Sequence, residues 1–113
     1  MQTFCGRTKL KANCLDKVYA WAKELNDRSS EAYETMANEG VFVECSFLEK
    51  AADGEYLIYF IKCESIAKMR EVSANSKHSL DIFHREFRDE CCDGGVRLET
   101  LIDFDRNLIS QND

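Results

Sequence analysis

Residues 56–61 read Tyr56-Leu57-Ile58-Tyr59-Phe60-Ile61 and run into Lys62 and Cys63. Six apolar residues in succession, mostly β-branched or aromatic, spell a strand; the run is too short for an independent helix and follows the turn dipeptide Asp53-Gly54. Side chains of a strand alternate between the two faces of its sheet, so an unbroken apolar run requires cover on both. Helices of the same chain supply one cover. A second copy of the sheet is the expected other.

Upstream, Phe4, Gly6, Thr8 and Leu10 fall on one face of an opening strand, with Cys5, Arg7 and Lys9 on the other. Asn13 is the expected N-cap of the next helix, where Leu15, Val18, Ala22, Leu25, Ser29, Ala32 and Met36 recur at helical spacing up to a stop at Gly40. The polar stretch 26–30 marks where that helix bends or splits. Trp21 and Tyr33 flank its apolar stripe, where they enter a core or close off a pocket. Val41 to Leu48 alternates as a second strand, with Val41, Val43, Cys45 and Phe47 on one face and Phe42, Glu44, Ser46 and Leu48 on the other. A short loop then makes a hairpin with the central run.

Downstream, Ser65 is placed to cap a helix whose inward residues are Ile66, Met69 and Val72. The helix breaks over 73–77 and restarts at Ser79, with Leu80, Phe83, Phe87 and Cys91 on its apolar side. Asp93-Gly94-Gly95 reads as a turn into a last strand, Val96 to Phe104. The order βαββαβ predicts an α+β, ferredoxin-like protomer: a four-stranded antiparallel sheet with two helices on one face, spanning residues 1–106, and a polar tail over 107–113. The two-faced central strand makes a homodimer through the sheet face the expected assembly.

The 113 residues fit one domain. A formal charge of −6, without a Lys/Arg cluster, argues against nucleic acid or a membrane surface as partner. The N-terminal Met1-Gln2-Thr3-Phe4 lacks a signal pattern and no apolar run reaches membrane-spanning length, so a cytoplasmic location is expected. Six cysteines are then expected as reduced, structural thiols. With no C-x-x-C and no Cys/His pair at zinc-ligand spacing, neither a metal nor a cofactor is signalled.

Several segments carry a resemblance: Glu39-Gly40-Val41, residues 53–59 (Asp53-Gly54-Glu55-Tyr56-Leu57-Ile58-Tyr59), His78-Ser79-Leu80-Asp81, and His84-Arg85-Glu86-Phe87. The chain resembles the dimeric α/β-barrel superfamily, and these segments are similar to a small family known only as a domain of unknown function. That superfamily includes cofactor-free monooxygenases, haem-degrading enzymes, lactone isomerases, sugar mutarotases and stress-induced proteins, so the fold does not select a function. The resemblance implies a ligand between each sheet and its own helices. Its haem-degrading pattern, a Trp on the sheet with an axial His, is not matched, because the one Trp is Trp21 on the first helix.

His84 lies on the stripe Leu80, His84, Phe87, Cys91 and is expected to face the sheet. Asp81, one turn earlier, is positioned to hold one ring nitrogen and leave the other as a general base near neutral pH. The competing reading is a buried histidine that only braces helix against sheet. His78, Tyr59, Arg7, Glu44 and Trp21 complete the candidate ligand-binding set, and Arg7 with Glu44 forms a candidate ion pair. Glu24, Glu31, Glu34 and Glu39 read as a solvated outer face. Two functions follow: binding or transformation of a small organic molecule in a sheet–helix pocket, or a non-catalytic stress or structural dimer.

Overall fold

The computed structural model describes residues 1–111. Strands β1 (Gln2–Leu10), β2 (Val41–Ala51), β3 (Gly54–Cys63) and β4 (Cys92–Arg97) form one antiparallel sheet in the order β2-β3-β1-β4. Helices α1 (Leu15–Asp27) and α2 (Ser29–Glu39) join β1 to β2, and α3 (Ile66–Asn75) and α4 (Ser79–Cys91) join β3 to β4. Four helical segments therefore stand where two were expected. The first break falls at Arg28, within the polar stretch that signalled it; the second falls over the residues between Asn75 and Ser79.

The apolar run at the centre of β3 is covered by the helices on one face. Its Leu57, Tyr59, Ile61 and Cys63 face the helices and divide the core in two. Leu57 packs with Leu10, Cys14, Val18, Trp21, Phe87 and Cys91 under α1 and α4. Cys63 packs with Phe4, Val41, Ile66 and Met69 under α3, with Met36 of α2, Tyr59 and Ile61 against them. Tyr59 belongs to this second cluster. A Cβ on Gly6, its β1 partner, would overlap the Tyr59 ring, so glycine is required there by close approach.

Two local departures redraw the expected faces. A register irregularity between Val41 and Val43 shifts the alternation by one. Val41 stays in the helix-side core, while Val43, Cys45 and Phe47 turn to the open face with Ile58 and Phe60; the expected common face for Val41 and Val43 is corrected accordingly. At the other edge, β4 leaves α4 directly at Cys92 rather than starting at Val96. Gly94 takes φ +69° and the Arg7/Lys9 register shift absorbs it, so Asp93-Gly94-Gly95 lies inside a bulged strand instead of a turn. The Thr8 hydroxyl donates to the Gly94 carbonyl and satisfies a buried polar group.

Beyond the Leu98 N–H, which donates to the Cys5 carbonyl, the expected strand to Phe104 is absent. Residues 98–105 run without regular structure toward Lys62 on the open face. Lys62 is buried and holds Asp103 at 3.2 Å and Asp105 at 2.9 Å, two charged anchors that draw the segment off the sheet edge. Of the tail expected from Asn107, Arg106–Gln111 form a short 3₁₀ turn and 112–113 lie outside the described residues. Asn13 is not the N-cap of α1: it sits at φ +63° and Cys14 occupies that position without a side-chain bond. Ser65 does cap α3, its hydroxyl accepting from Lys68 N–H. All six cysteines are free thiols. Among the described residues, no helix is long and apolar enough to cross a membrane.

The Gly6–Tyr59 contact yields a stability prediction. Gly6→Ala forces the ring or the β1–β3 ladder to move and should cost about 1–3 kcal/mol in urea denaturation. A loss under about 0.5 kcal/mol, the ordinary surface-substitution range, would show that the ring is not wedged against β1.

Candidate functional site around Trp21 and His84

The apolar stripes of α1 and α4 face one another, and this brings Trp21 against His84 and Phe87. The indole stacks on Phe87 with centroids 4.5 Å apart and planes inclined by 9°, and on His84 with centroids 5.7 Å apart. Trp21 Nε1–H donates to His84 Nδ1 at 3.1 Å. An indole nitrogen only donates, so Nδ1 must present its lone pair and the neutral ring carries its proton on Nε2.

Burial pushes the His84 pKa down to about 4, helped by the like charge of Arg88 and opposed by Asp81. The imidazole is thus neutral at pH 7 and offers a hydrogen-bond donor. The expected general base titrating near neutrality is corrected on both counts, since Nδ1 is occupied by Trp21 and Nε2 bears the proton.

Asp81 does not hold the ring. Its Oδ2 accepts from the Ser76 hydroxyl at 2.5 Å, and that hydroxyl accepts in turn from His78 N–H at 3.2 Å. Arg85 donates to the carbonyls of Ser73 and Ser76 at 2.6 and 2.7 Å. Together these bonds fasten the connection between α3 and α4, so Asp81 organises a loop and acts on His84 only through its charge. His78 caps α4, Nδ1 accepting from Leu80 N–H at 3.1 Å, and its Nε2 lies 3.8 Å from Glu34. Its expected role as a ligand contact gives way to a local structural one.

The expected Arg7–Glu44 pair is also corrected. Arg7 lies in the Ile58–Phe47 row on the open face, whereas Glu44 pairs with Ile61 and faces the helices. Arg7 instead binds Glu49 at 2.8–2.9 Å, with its guanidinium 3.6 Å from the centroid of the Tyr56 ring. Tyr59 is on the helix side, stacked on Phe4 at 5.8 Å, with the Arg88 guanidinium 5.6 Å from its ring.

On the same side, Glu44 and Glu39 approach Asp81. Burial, then Asp81 and Glu44, raise the Glu39 pKa to about 7. Although Glu44 keeps contact with solvent, crowding by the protein and the charge of Asp81 raise its pKa as well. Glu39 therefore leaves the solvated outer face assigned to it and becomes the group poised to exchange a proton near neutrality. Its signal in the sequence was position alone: it precedes Gly40, whose left-handed φ of +73° turns the chain into β2. Trp21 is buried in the core, one of the two places its position beside the stripe allowed, but neither stripe signalled its bond to His84. Among the described residues, no group of three or more His, Cys, Asp or Glu side chains is arranged to hold a metal ion. Two cavities, of about 530 and 350 Å³, lie elsewhere, the larger where β1, α3 and the segment after β4 meet and the smaller beside α4 and β4, and neither is lined by His84.

Residues 1–107 match the family of unknown function DUF6176. The chain belongs to that family. No curated protein shows significant similarity to it. Among solved structures it is similar to Rv0793 from Mycobacterium tuberculosis, with a TM-score of 0.53 and 18% identity over 89% of this chain and 95% of that one. It is also similar to Atu4242 from Agrobacterium tumefaciens, with a TM-score of 0.53 and 13% identity over 86% and 89% of the two chains. At these identities the likeness shows a shared fold and leaves the chemistry of the family to be argued from its residues.

The two shifted groups act on stability in opposite senses. His84 has a folded pKa of about 4 against an ordinary 6.5, so its contribution is present above 6.5 and lost as pH falls toward 4. Glu39 has a folded pKa of about 7 against 4.5, so its contribution is present below 4.5 and lost as pH rises toward 7. His84→Gln should flatten the acid side of the stability–pH curve and Glu39→Gln the neutral side, each by about 1–3 kcal/mol. Urea titrations from pH 4 to 8 test this; parallel curves for wild type and variant would refute the shift concerned.

Proposed function

We propose that this chain is the ferredoxin-like protomer of a cytoplasmic dimeric α/β barrel that binds, and has the groups to transform, a small polar organic molecule between sheet and helices. The observation that carries the site is the Trp21–His84 hydrogen bond: it fixes a neutral imidazole whose Nε2–H is a donor for a carbonyl or hydroxyl oxygen. The charge of Asp81 is felt both by this ring and by Glu39, which supplies an exchangeable proton. Arg88 over Tyr59 adds a polar boundary. A neutral donor and a proton-carrying carboxyl favour an uncharged ligand over a carboxylate or phosphate at this position.

The dimer is supported by what the open face exposes. Val43, Cys45, Phe47 and Val96 meet solvent there, and the adjoining segment leaves Leu101, Ile102 and Phe104 at 84%, 73% and 93% exposure. Such a contiguous apolar surface is unusual on a monomer and fits a self-complementary interface.

A second reading, a non-catalytic dimer, is favoured by the parallel stack Phe87–Trp21–His84, which is also how an imidazole braces a core. Light scattering tests the dimer that both readings share, and a fragment screen separates the two. Light scattering at micromolar concentration should give the mass of two chains, and Phe47→Asp should yield a single one. A fragment screen by NMR with neutral carbonyl and hydroxyl compounds should find ligands that shift His84 and Trp21 resonances. In the first reading His84→Gln folds and loses that binding. If it instead costs about 1–3 kcal/mol of stability and no fragment distinguishes it from wild type, the bracing reading stands.

A further inference from the structure

The cavity of about 530 Å³ lies far along the sheet from Leu57 and Trp21, where the start of β1, the first turn of α3 and the end of β4 converge. Arg70 and Arg97 both line it, and both guanidiniums sit over one ring: Arg70 is 5.3 Å and Arg97 5.2 Å from the centroid of Phe4. Neither makes an ion pair with any carboxylate among the described residues. Arg7 has Glu49 and Arg28 has Glu24 and Glu31, while Arg85, Arg88 and Arg106 also lack an ion pair among the described residues; what sets Arg70 and Arg97 apart is that both line one cavity over one ring. Arg97 donates only to the Thr3 carbonyl, at a long 3.4 Å.

The one carboxylate of the lining, Asp103, is already taken. It accepts from the Thr3 hydroxyl at 2.6 Å and pairs with Lys62 at 3.2 Å. Those partners hold it below the usual carboxylate range, as an anion committed to the far wall. Gln2 likewise spends its side-chain oxygen on Ile66 N–H at 2.7 Å, and Ser65 takes Lys68 N–H. Ala67, between them, carries a first-turn N–H with no acceptor within the helix, and Ala67 and Thr100 both line the cavity. The free groups of the lining are therefore donors and cations, and the acceptors are engaged.

We propose that this cavity is a binding site for a small oxyanion, the phosphate or carboxylate group of a metabolite, clamped between Arg70 and Arg97. Guanidinium forks match the geometry of both groups and bind them through paired, charge-assisted hydrogen bonds. The Phe4 ring beneath the two arginines keeps their stems in place and their planes open to the cavity. The Ala67 N–H at the positive end of α3 adds a third donor. This site shares no residue with the Trp21–His84 cluster and takes a ligand of opposite character.

Titration of the full chain with inorganic phosphate and with succinate, at constant ionic strength set by sodium chloride, tests the proposal by NMR. Saturable shifts are expected at the amides of Ala67, Arg70, Arg97 and Thr100, with half-saturation at or below about 10 mM, the range of a few charge-assisted bonds. Arg70→Gln and Arg97→Gln should each weaken binding about tenfold or more. Arg97→Lys, which keeps the charge but not the fork, should weaken it less. Saturation by phosphate alone or by succinate alone identifies which oxyanion the clamp takes. His84→Gln should bind as wild type, which keeps this test independent of the Trp21–His84 reading. Shifts that never saturate, or that persist in the Arg70→Gln/Arg97→Gln double variant, would overturn the site; unchanged melting of both single variants guards against an unfolding artefact.

Discussion

Strand β3 pairs with β2 along one edge and β1 along the other, so its backbone is fully engaged and only its two faces remain to be covered. Because the run from Tyr56 to Ile61 is apolar throughout, covering either face removes comparable hydrocarbon surface from water, worth roughly 25 cal/mol for every Å² hidden. On the helix side the cover is intrachain. Leu57 and Cys63 each found a separate buried cluster, and Tyr59 joins the second with its ring over Gly6. The open side is covered within the chain only near Lys62, where Asp103 and Asp105 bring the last segment back. Everything else in the fold adjusts to this asymmetry.

The two helix breaks are one feature seen from both sides. Arg28 stands between α1 and α2, bonded to Glu31 through Nε at 2.6 Å and Nη2 at 2.8 Å, and the same Nη2 donates to the Oγ of Ser79, the first residue of α4, at 2.7 Å. The interruption of one helix is thus tied to the restart of the other. Ser76, Asp81 and Arg85 fasten the remaining loop. With both breaks pinned at the same level, α1 and α4 cover the Leu57 end of the sheet while α2 and α3 cover the Cys63 end. Trp21 meets His84 because α1 and α4 pack as a pair rather than as halves of longer rods.

Much of this architecture was legible where periodicity carried it. The central strand, the inward face of β1, the cap at Ser65, the restart at Ser79 and the splitting of the first helix all follow from side-chain spacing and turn chemistry. What escaped were features decided by pairing between distant segments. A single extra residue at the start of β2 moved Val43, Cys45 and Phe47 to the open face, and alternation alone cannot reveal a bulge. Gly94-Gly95 has the composition of a turn but serves a bulged edge strand, because the Cys92–Leu10 pairing had already begun. The site suffered similarly. His84 was found by its stripe, yet its true partner lay 63 positions away in Trp21 rather than one turn away in Asp81. Glu39 was misread because an acidic residue near a helix end is usually solvated; its shift comes first from burial, to which Asp81 and Glu44 add from another helix and another strand.

The division of charge across the helix layer then follows from where donors are left over. At Trp21 and His84 the cost of burying charge is avoided by keeping the imidazole neutral, and burial raises the pKa of the nearby Glu39 and Glu44 carboxyls. At the other end, Arg70 and Arg97 cannot discharge themselves, since guanidinium stays protonated at any ordinary pH. They remain near solvent, over Phe4, with the local acceptors spent on Lys62, Ile66 and Thr3. A protein with a net charge of −6 repels anions at long range, so an anion reaches these arginines only through short-range geometry. That places the burden of recognition on the spacing of the two guanidiniums and the Ala67 amide, all three held by the β1–α3–β4 junction. The same junction is fixed by Gln2 capping α3 and by Leu98 bonding Cys5. Its geometry is therefore inherited from the ladder that β1 forms with β3, the strand from which the rest of the sheet is built.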